Sequence, residues 1–450
     1  MSGLIQLALF AAREISPMTN FATACIDGDY SKILNLLSTG NCNALNTYVN
    51  GGDTPLILAC KKDNLQIVKL LDNFNVDIKQ KHKYDNYDAF ICACKNVSYN
   101  CIKYFIKKKY NSISMSEALN CIFTKTKNIS KVIKCIDLLI QNGADINFIC
   151  SNGNTILTNA CCEFILNESN SIEALKYLIK LNVNINKQTQ YKYTALMNVC
   201  NISCTFLTGK TSNRILSVIK LLLNSGANIN TKNYQHVTPL LFACKNMNEK
   251  CIKYLVNNNA DIHASDRVEG SVLHYMCSFL TDTQYQYEND VGINKIDRVE
   301  MILYFLKKGA NINKINYRYN YTPLMTACDS HMYNCIETLL NNNVDIDIKN
   351  SEGENAIIIS FFSDTEKKRF KHTKMLIKYG ADISCLKNPT IIRPFFRKYF
   401  DNVYNSAEAK MFLKEFINFC SAELNINFND IIQKNSTVTP LRAMYKFFNA

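Results

Sequence analysis

One short phrase returns several times along this chain. The sequence TPLILAC at 54–60 reappears as TPLLFAC at 238–244 and as TPLMTAC at 322–328. Each copy is followed by a second apolar stretch with helical periodicity and then by an Asn/Asp-Ile ending. Copies of one supersecondary unit bury their apolar faces only by stacking on one another, so the pattern predicts an array of stacked units.

The spacing inside the copies defines their register. Fourteen residues separate the Thr position from an apolar anchor of the second helix in five units: Thr19 to Ile33, Thr54 to Val68, Asp88 to Ile102, Thr238 to Ile252 and Thr322 to Ile336. Ten residues then separate the anchor from the closing Ile in four units: Val68 to Ile78, Ile252 to Ile262, Ile302 to Ile312 and Ile336 to Ile346. A chance apolar pattern would not keep both distances.

Other units lengthen the first spacing. It is 20 residues from Thr155 to Leu175, 25 from Thr194 to Ile219, 31 from Ser271 to Ile302 and 18 from Asn355 to Thr373. The extra residues fall between the two helices of a unit, at 163–172, 201–214, 278–297 and 363–371. Insertions at one point of a stacked unit emerge on one side of the array. We therefore expect these segments to be loops that share an edge, away from the hairpin segments between units (the fingers).

The repeated unit resembles the ankyrin repeat, whose signature T-P-L-H-x-A marks a turn followed by two helices of about 33 residues in all. Thr-Pro-Leu occurs in three copies and the His only in Val272-Leu273-His274. The resemblance implies an all-α ankyrin-repeat solenoid of stacked helix-turn-helix units with short hairpin fingers. It also implies that the ring of His274 braces its turn. The Asn/Lys/Ile-rich, divergent array is similar in style to ankyrin proteins of poxviruses and of large DNA viruses of amoebae.

The register places the starts of the units along the whole chain. They lie near Thr19, Thr54, Asp88, Ser116, Thr155, Thr194, Thr238, Ser271, Thr322, Asn355 and Thr390, with a fragment at Thr439. We therefore expect an N-terminal capping helix at 1–18, ankyrin repeats at 19–387, and a degenerate repeat with a cap at 388–450. The apolar stretch 4–12 could instead be a signal sequence, but it lacks a preceding basic residue, which favours the capping helix.

Cysteine is abundant, with 20 residues, and it follows the helix phase. Seven cysteines stand six residues after the Thr position, at the end of the first helix: Cys60, Cys94, Cys161, Cys200, Cys244, Cys277 and Cys328. Cys101, Cys135, Cys251 and Cys335 precede the second-helix anchor. A free Cys behaves as a small apolar residue, so this pattern favours buried thiols in a reducing compartment, either cytoplasm or nucleus, over disulfides.

No group of residues points to catalysis. Cys92-x-Cys94 and Cys161-Cys162 could be metal ligands in isolation, but no Cys/His pair follows at a zinc-site spacing. Gly209-Lys210-Thr211 lacks the earlier Gly and the preceding strand of a phosphate-binding loop. None of the six His has a neighbouring nucleophile pattern. The prediction is a non-enzyme without metal or cofactor.

The finger segments between units carry many tyrosines. They are Tyr48, Tyr84, Tyr87, Tyr191, Tyr193, Tyr234, Tyr317, Tyr319 and Tyr321. Tyr concentrates at binding surfaces because it offers a broad apolar face and a hydroxyl at little entropic cost. These residues, and Tyr191, Tyr193 and Tyr234 on adjacent fingers above all, are our candidate partner-binding residues. An AT-rich genome would also explain the abundance of Tyr, and this alternative stays open.

The net charge of +13 would suit acidic partners or nucleic acid. The basic clusters, at 79–83, 103–109 and 367–374, lie many units apart and carry no stacking motif of a nucleic-acid module. We therefore favour solvated lysines on outer helices, and we expect no nucleic-acid partner. No apolar run reaches the roughly 20 residues of a membrane span, so we expect no membrane partner either.

The finger turn ordinarily needs Gly two residues before Thr, because the backbone φ is positive there. Gly52, Gly153 and Gly353 keep it, and Asn86 and Asn320 are tolerable substitutes. Three further units have Lys192, His236 and Glu269 at this position. These side chains disfavour a positive φ, so we expect those fingers to depart from the regular shape.

Two functions fit this sequence. The first is a monomeric, non-enzymatic scaffold that binds a protein through the concave face of fingers and first helices. The alternative is an adaptor that recruits a target to host machinery such as a ubiquitin ligase. The poxvirus ankyrin proteins that this array resembles in style often end in an F-box-like tail. Residues 410–450 instead resemble another ankyrin helix followed by the Thr439 fragment.

Overall fold

The computed structural model describes residues 21–38, 45–49, 51–108, 112–124, 128–167, 171–203, 209–267, 270–278, 297–363, 371–384 and 421–422. The chain divides into two compact units, Met1–Tyr234 and Gln235–Ala450. The predicted cap at 1–18 and the predicted repeat near Thr390 lie outside the described residues.

The first unit is a series of helix pairs. A helical segment at 21–27 precedes the first named helix. The following helices, in chain order, are Tyr30–Ser38, Pro55–Lys61, Leu65–Asn73, Ala89–Lys95, Tyr99–Ile106, Ser112–Cys121, Ile129–Gln141, Ile156–Leu166, Ile172–Lys180, Ala195–Cys200 and Gly209–Asn224. A short 3₁₀ turn, Ile122–Thr124, lies between the two helices of the fourth pair.

The second unit repeats the arrangement. Its helices are Pro239–Lys245, Glu249–Asn257, Val272–Cys277, Arg298–Lys307, Pro323–Asp329, Tyr333–Leu340, Ala356–Ser363 and Lys371–Lys378. Within each unit, first helices pack on first helices and second helices on second helices of the next pair. The β-structure within the described ranges is limited to two isolated bridges, Ile149 with Thr155 and Ser265 with Ser271. The all-α ankyrin-repeat prediction is confirmed.

The repeated TPL phrase forms the start of each first helix for a local reason. Thr54 is the N-cap of Pro55–Lys61, and its hydroxyl oxygen accepts a hydrogen bond from the backbone N–H of Ile57 at 3.3 Å. Pro55 occupies the first helical turn, where its missing N–H has no partner to lose. Thr155, Thr194, Thr238 and Thr322 cap their helices in the same way. Asp88 does so with its carboxylate.

The Asn/Asp-Ile ending forms a relay of hydrogen bonds that joins consecutive repeats. Each Asx side-chain oxygen accepts a backbone N–H either two residues on or in the next repeat. In the first unit, the side-chain oxygen of each member of the relay accepts a hydrogen bond from the backbone N–H of the next member. The members are, in order, Asp145, Asn147, Asn184, Asn186, Asn228 and Asn230. In the second unit it runs from Asn311 through Asn313, Asp345, Asp347 and Asp382 to Ser384.

Tyrosines in or next to the second helices also join neighbouring repeats. The Tyr104 hydroxyl donates to Asp72, and the Tyr379 hydroxyl donates to Asn341 at 2.7 Å. Tyr177 donates to Asp137 in the same manner at 2.5 Å. These contacts hold second helices together, so part of the chain's tyrosine content has a structural use.

The cysteine prediction is confirmed for burial. All seven cysteines at the end of first helices are buried, as are the four that precede the second-helix anchors. The cysteines within the described ranges are free thiols. Burial raises the pKa of the Cys92 thiol to about 12 and that of the Cys135 thiol to about 12. These two thiols therefore stay protonated at neutral pH and pack as small apolar groups.

Two local predictions were wrong. Ser116 does not begin its helix, because Ser112–Cys121 starts a full turn earlier and Ser116 lies within it. The Ser116 hydroxyl donates to the Ser112 carbonyl oxygen and accepts from the N–H of Asp145 at 2.8 Å. The residue thus keeps its place in the repeat register but bonds as a helix-interior serine, since no Pro marks the start of this helix.

The second wrong prediction concerns the inserted segments, which we expected to be loops. Residues 163–166 instead extend the first helix Ile156–Leu166, and 209–214 extend the second helix Gly209–Asn224. Arg214 connects the two extensions, because its Nε donates to the Phe164 carbonyl oxygen at 2.9 Å and its guanidinium stacks 3.8 Å from the Phe164 ring centroid. The segments 168–170, 204–208, 279–296 and 364–370 lie outside the described residues.

Candidate functional site: the finger surface

Neighbouring fingers are joined by backbone hydrogen bonds at their tips. The N–H of Lys83 donates to the Gly52 carbonyl oxygen at 2.9 Å, and the N–H of Gln190 donates to that of Gly153 at 3.0 Å. In the second unit, the N–H of Arg267 donates to the Gln235 carbonyl oxygen at 2.9 Å. Side chains of successive fingers in a unit are therefore held in one row.

The finger turn keeps its shape even where Gly is replaced, contrary to our expectation. Lys192 has a φ of 59° and His236 a φ of 64°, close to the 78° of Gly153. The hairpin around Lys192 imposes this conformation: the N–H of Lys192 donates to the Thr189 carbonyl oxygen, and Thr189 and Tyr193 are also bonded to each other. Asn86 adopts no positive φ, and Glu269 lies outside the described residues.

The predicted tyrosines divide into two groups by exposure. The exposed group contains Tyr48, Tyr84, Tyr191, Tyr234, Tyr317 and Tyr319. The half-buried group contains Tyr87, Tyr193 and Tyr321. Only exposed rings present a broad face to a partner without rearrangement of the fold, so the two groups differ in what they offer.

Two consecutive fingers at the C-terminal end of the first unit each carry an exposed tyrosine. The ring of Tyr191 is 63% exposed and that of Tyr234 is 58% exposed, on consecutive fingers. The ammonium of Lys192 lies 4.6 Å from the Tyr234 ring centroid and so connects the two fingers. We call Tyr191, Lys192, Tyr193, Lys232 and Tyr234 the Tyr–Lys patch. Sequence reasoning named its tyrosines but missed its lysines, although Lys192 stands between two of them.

The half-buried Tyr87 differs from the exposed tyrosines, because its side chain makes contacts within the fold. Its ring stacks on His82 at 4.8 Å between centroids, and the Lys95 ammonium lies 4.2 Å from the ring centroid. The Tyr87 hydroxyl donates to Asp53 at 3.4 Å. Burial, together with the neighbouring Asp53 carboxylate, raises the pKa of Tyr87 above its usual range. Its contacts fix the ring inside the finger rather than offering it to a partner.

The second unit has its own finger tyrosines. Tyr317 and Tyr319 are exposed, and the Arg318 guanidinium lies 5.0 Å from the Tyr319 ring centroid. The buried Asn316 shapes this finger, because its side-chain oxygen accepts from the N–H groups of Tyr319 and Tyr321 at 3.2 and 3.1 Å. The finger thus presents two aromatic rings and a cation on a fixed turn.

His274 braces its turn, as the resemblance implied. Its Nδ1 accepts from the Ser271 N–H at 3.1 Å, and its Nε2 donates to the Tyr321 carbonyl oxygen at 2.9 Å. This pattern requires the neutral ring. Burial lowers the pKa of His274 from 6.5 to about 4, so the neutral ring is also the stable form at physiological pH.

A basic cleft lies on second helices of the second unit, away from the fingers. It has a volume of about 250 Å³ and is lined by Tyr333, Glu337, Lys371, Lys374, Met375, Lys378 and Tyr379. The Lys371 ammonium lies 3.6 Å from the Tyr333 ring centroid. Lys371, Lys374 and Lys378 of the helix Lys371–Lys378 are exposed, which agrees with the expectation of lysines on outer helices.

The residues with a described position contain no group of three or more His, Cys, Asp or Glu side chains placed to hold a metal ion. None of their helices combines the length and the apolar character that crossing a bilayer requires.

Comparison with known proteins agrees with the geometry. The family profile described as "Ankyrin repeats (3 copies)" matches residues 21–115, 164–266 and 293–386. An ankyrin repeat protein of Acanthamoeba polyphaga mimivirus is 27% identical over 301 residues, which cover 56% of this chain and 71% of that protein. An ankyrin repeat protein of variola virus is 25% identical over 236 residues, which cover 48% of this chain and 40% of that protein.

Among solved structures, the ankyrin repeat domain of Bcl-3, a member of the IkappaB protein family, is also similar. It is 20% identical with a TM-score of 0.39, and the match covers 53% of this chain and 97% of that domain. The profile matches span well over half of the sequence, and the helix pairs, Thr caps and braced His belong to the same repeat. The chain is a member of the ankyrin repeat family.

Proposed function

We propose that this protein is a non-enzymatic scaffold that binds a protein partner through its finger surface. Ankyrin repeats are in general protein–protein interaction modules. The observation that carries the proposal for this chain is the pair of exposed rings Tyr191 and Tyr234 on consecutive fingers, joined by Lys192. Tyr193 on the first of these fingers is half-buried.

This placement suits a binding site physically. A hot spot requires aromatic groups that lose little entropy on binding, and Tyr has only two rotatable side-chain bonds. The finger backbone around Tyr191 is fixed by its bond to Gly153 and by the Thr189–Tyr193 pair. A surface fixed in this way needs little reorganisation to bind, which favours affinity.

The test compares partner capture by the intact chain and by a variant with Tyr191→Ser, Tyr193→Ser and Tyr234→Ser. Lysates of Acanthamoeba cells and of vertebrate cells provide the proteins, because the relatives are encoded by mimivirus and poxviruses. The control is Tyr30→Ser, which removes an exposed tyrosine from a second helix. We expect the triple variant to lose proteins that the wild type and the control both retain. Equal capture by all three proteins would contradict the proposal.

The adaptor is the second candidate function. The observation in its favour is that each of the two compact units carries its own exposed finger tyrosines, Tyr191 and Tyr234 in one, Tyr317 and Tyr319 in the other. An adaptor predicts two sets of captured proteins, one lost with the triple variant and one lost with Tyr317→Ser and Tyr319→Ser. Ubiquitin ligase subunits in either set would favour recruitment to degradation. A single set would favour the plain scaffold.

The thiols support a proposal for the cellular compartment. Free and buried cysteines at the same position of successive repeats suit a reducing environment, because oxidising compartments favour disulfides. We therefore propose that the protein acts in the cytoplasm or nucleus of the host cell, and we keep the monomer as part of the proposal. Imaging of a tagged chain in infected or transfected cells tests this placement, and accumulation in the secretory pathway would contradict it.

A further inference from the structure

The fingers that form the Tyr–Lys patch are free of acidic residues. The segments 186–194 and 228–234 contain Lys187, Lys192 and Lys232 and no Asp or Glu. The following first helix, Ala195–Cys200, contains no charged residue, and neither does the preceding finger at 147–154. The lysines are therefore not neutralised by carboxylates of their own segments, unlike Lys61, which pairs with Asp53 at 2.6 Å on an earlier finger of this unit.

The position of Lys192 adds to this argument. It occupies the turn site that Gly52 and Gly153 occupy elsewhere in the unit, and it holds the same left-handed conformation with a φ of 59°. A side chain is disfavoured there, whereas glycine is not. The long side chain nevertheless extends to the next finger and places its ammonium 4.6 Å from the Tyr234 ring centroid. Lys192 thus combines a strained backbone with an ammonium group at the centre of the exposed aromatic surface.

We propose that the Tyr–Lys patch binds an acidic protein segment, in which Asp or Glu side chains alternate with apolar ones. Carboxylates of the segment would pair with Lys192 and Lys232, and its apolar side chains would pack on Tyr191 and Tyr234. This inference rests on the proposed function, since it names the chemistry of the partner for the same surface. It also assigns a binding role to two lysines that the sequence analysis did not single out.

The energetics define what each group contributes. Exposed ion pairs and cation–π contacts are individually weak, whereas desolvated tyrosines contribute more. The lysines should therefore select acidic partners and speed their association, and the tyrosines should supply most of the affinity. Nucleic acid is a poorer fit, because three lysines on two fingers do not make a continuous track for a phosphate backbone.

The probe is a phage library of random dodecapeptides, selected on the intact protein at low ionic strength. We expect the enriched peptides to be rich in Asp and Glu interspersed with apolar residues. Synthetic copies of them should bind Lys192→Gln/Lys232→Gln roughly five- to tenfold more weakly than wild type. The matched control, Lys131→Gln/Lys134→Gln, removes the same charge from exposed positions of the second helix Ile129–Gln141 and should bind as wild type does.

The outcomes separate this inference from the proposed function. Neutral or basic peptides that depend on Tyr191 and Tyr234 would overturn the inference and leave the scaffold intact. Peptides that bind the variants Tyr191→Ser/Tyr234→Ser and Lys192→Gln/Lys232→Gln as well as wild type, or no enrichment at all, would overturn the inference, whereas only equal capture of lysate proteins by wild type and the tyrosine variant would overturn the scaffold. Oligonucleotide binding that competes with the peptides and depends on the same lysines would assign the patch to nucleic acid instead.

Discussion

The ring of His274 connects two repeats, because its Nε2 lies 2.9 Å from the carbonyl oxygen of Tyr321 in the next finger. The opposite nitrogen accepts from Ser271, so the ring is neutral and its tautomer is defined. The charged groups that act on it are Asp266, which raises its pKa, and Lys314, which lowers it, but burial outweighs both and holds the pKa at about 4.

This depressed pKa predicts a pH dependence of stability. Above pH 6.5 the ring is neutral in the folded and unfolded chains, so its full contribution is present. As the pH falls from 6.5 toward about 4, the unfolded chain binds a proton that the folded chain does not, and the free energy of unfolding decreases. The decrease attributable to His274 is about 3 kcal/mol.

Urea unfolding of wild type and His274→Gln between pH 4 and pH 8 measures this term. The difference between the two proteins should be largest near neutral pH and should shrink on acidification, because only the wild type loses the His contribution. A difference that stays constant over the range would show that His274 does not titrate with the depressed pKa.

Arg214 should stabilise the two helix extensions of the first unit. Arg214→Ala removes its hydrogen bonds to the carbonyl oxygens of Phe164 and Asn167 and its stacking on the Phe164 ring. We expect a loss of roughly 2 kcal/mol and faster amide exchange at 163–166 and 209–214. Arg214→Lys keeps the charge but loses the planar fork, so it should rescue little. Full rescue by Lys would show that charge alone matters.

The cysteines should react slowly in the native protein. Burial raises the pKa of Cys25 to about 12 and that of Cys150 to about 12, so their thiolate forms are scarce at pH 8. Among the described cysteines, Cys121 and Cys162 are only half-buried and should be modified first. Titration with a thiol reagent before and after denaturation measures this. All 20 thiols should react in denaturant, and rapid reaction of most of them in the native state would contradict the burial.

Lys192→Gly should raise the stability of the first unit and weaken its binding of acidic peptides. Glycine relieves the strain of the positive φ, so the first unit should gain roughly 0.5 to 1 kcal/mol, the strain removed less the entropy of glycine. The same change removes the ammonium beside Tyr234 and should weaken binding of acidic peptides. Thermal unfolding and peptide affinity are measured on one protein. A variant that is less stable, or that binds equally well, would contradict the corresponding half of the prediction.

The features that the sequence predicted are those that each repeat determines locally. A Thr at the cap, a Pro in the first turn and an apolar anchor at fixed spacing are local signals for a helix pair, and Thr54, Thr238 and Thr322 all cap as expected. The burial of the cysteines could be predicted for the same reason, because position in the helix decides burial.

The wrong predictions concern features that neighbours decide. Residues 163–166 and 209–214 are helical since Arg214 and Phe164 support each other across repeats, which spacing within a repeat does not reveal. Lys192 keeps a glycine-like turn because its hairpin bonds outweigh the steric penalty. The contact between Lys192 and Tyr234 likewise depends on how two fingers are placed, and only the structure shows it.

The most direct test of the central claim is to ask where the partner touches the chain. Tyr191→p-benzoylphenylalanine places a photo-crosslinker on the Tyr–Lys patch, and Lys134→p-benzoylphenylalanine places it at an exposed site of the second helix Ile129–Gln141. After illumination with the captured partner, we predict a crosslinked product from the position of Tyr191 and none from that of Lys134. Crosslinking from the second-helix position alone would show that the partner binds elsewhere, and the finger-surface account would be wrong.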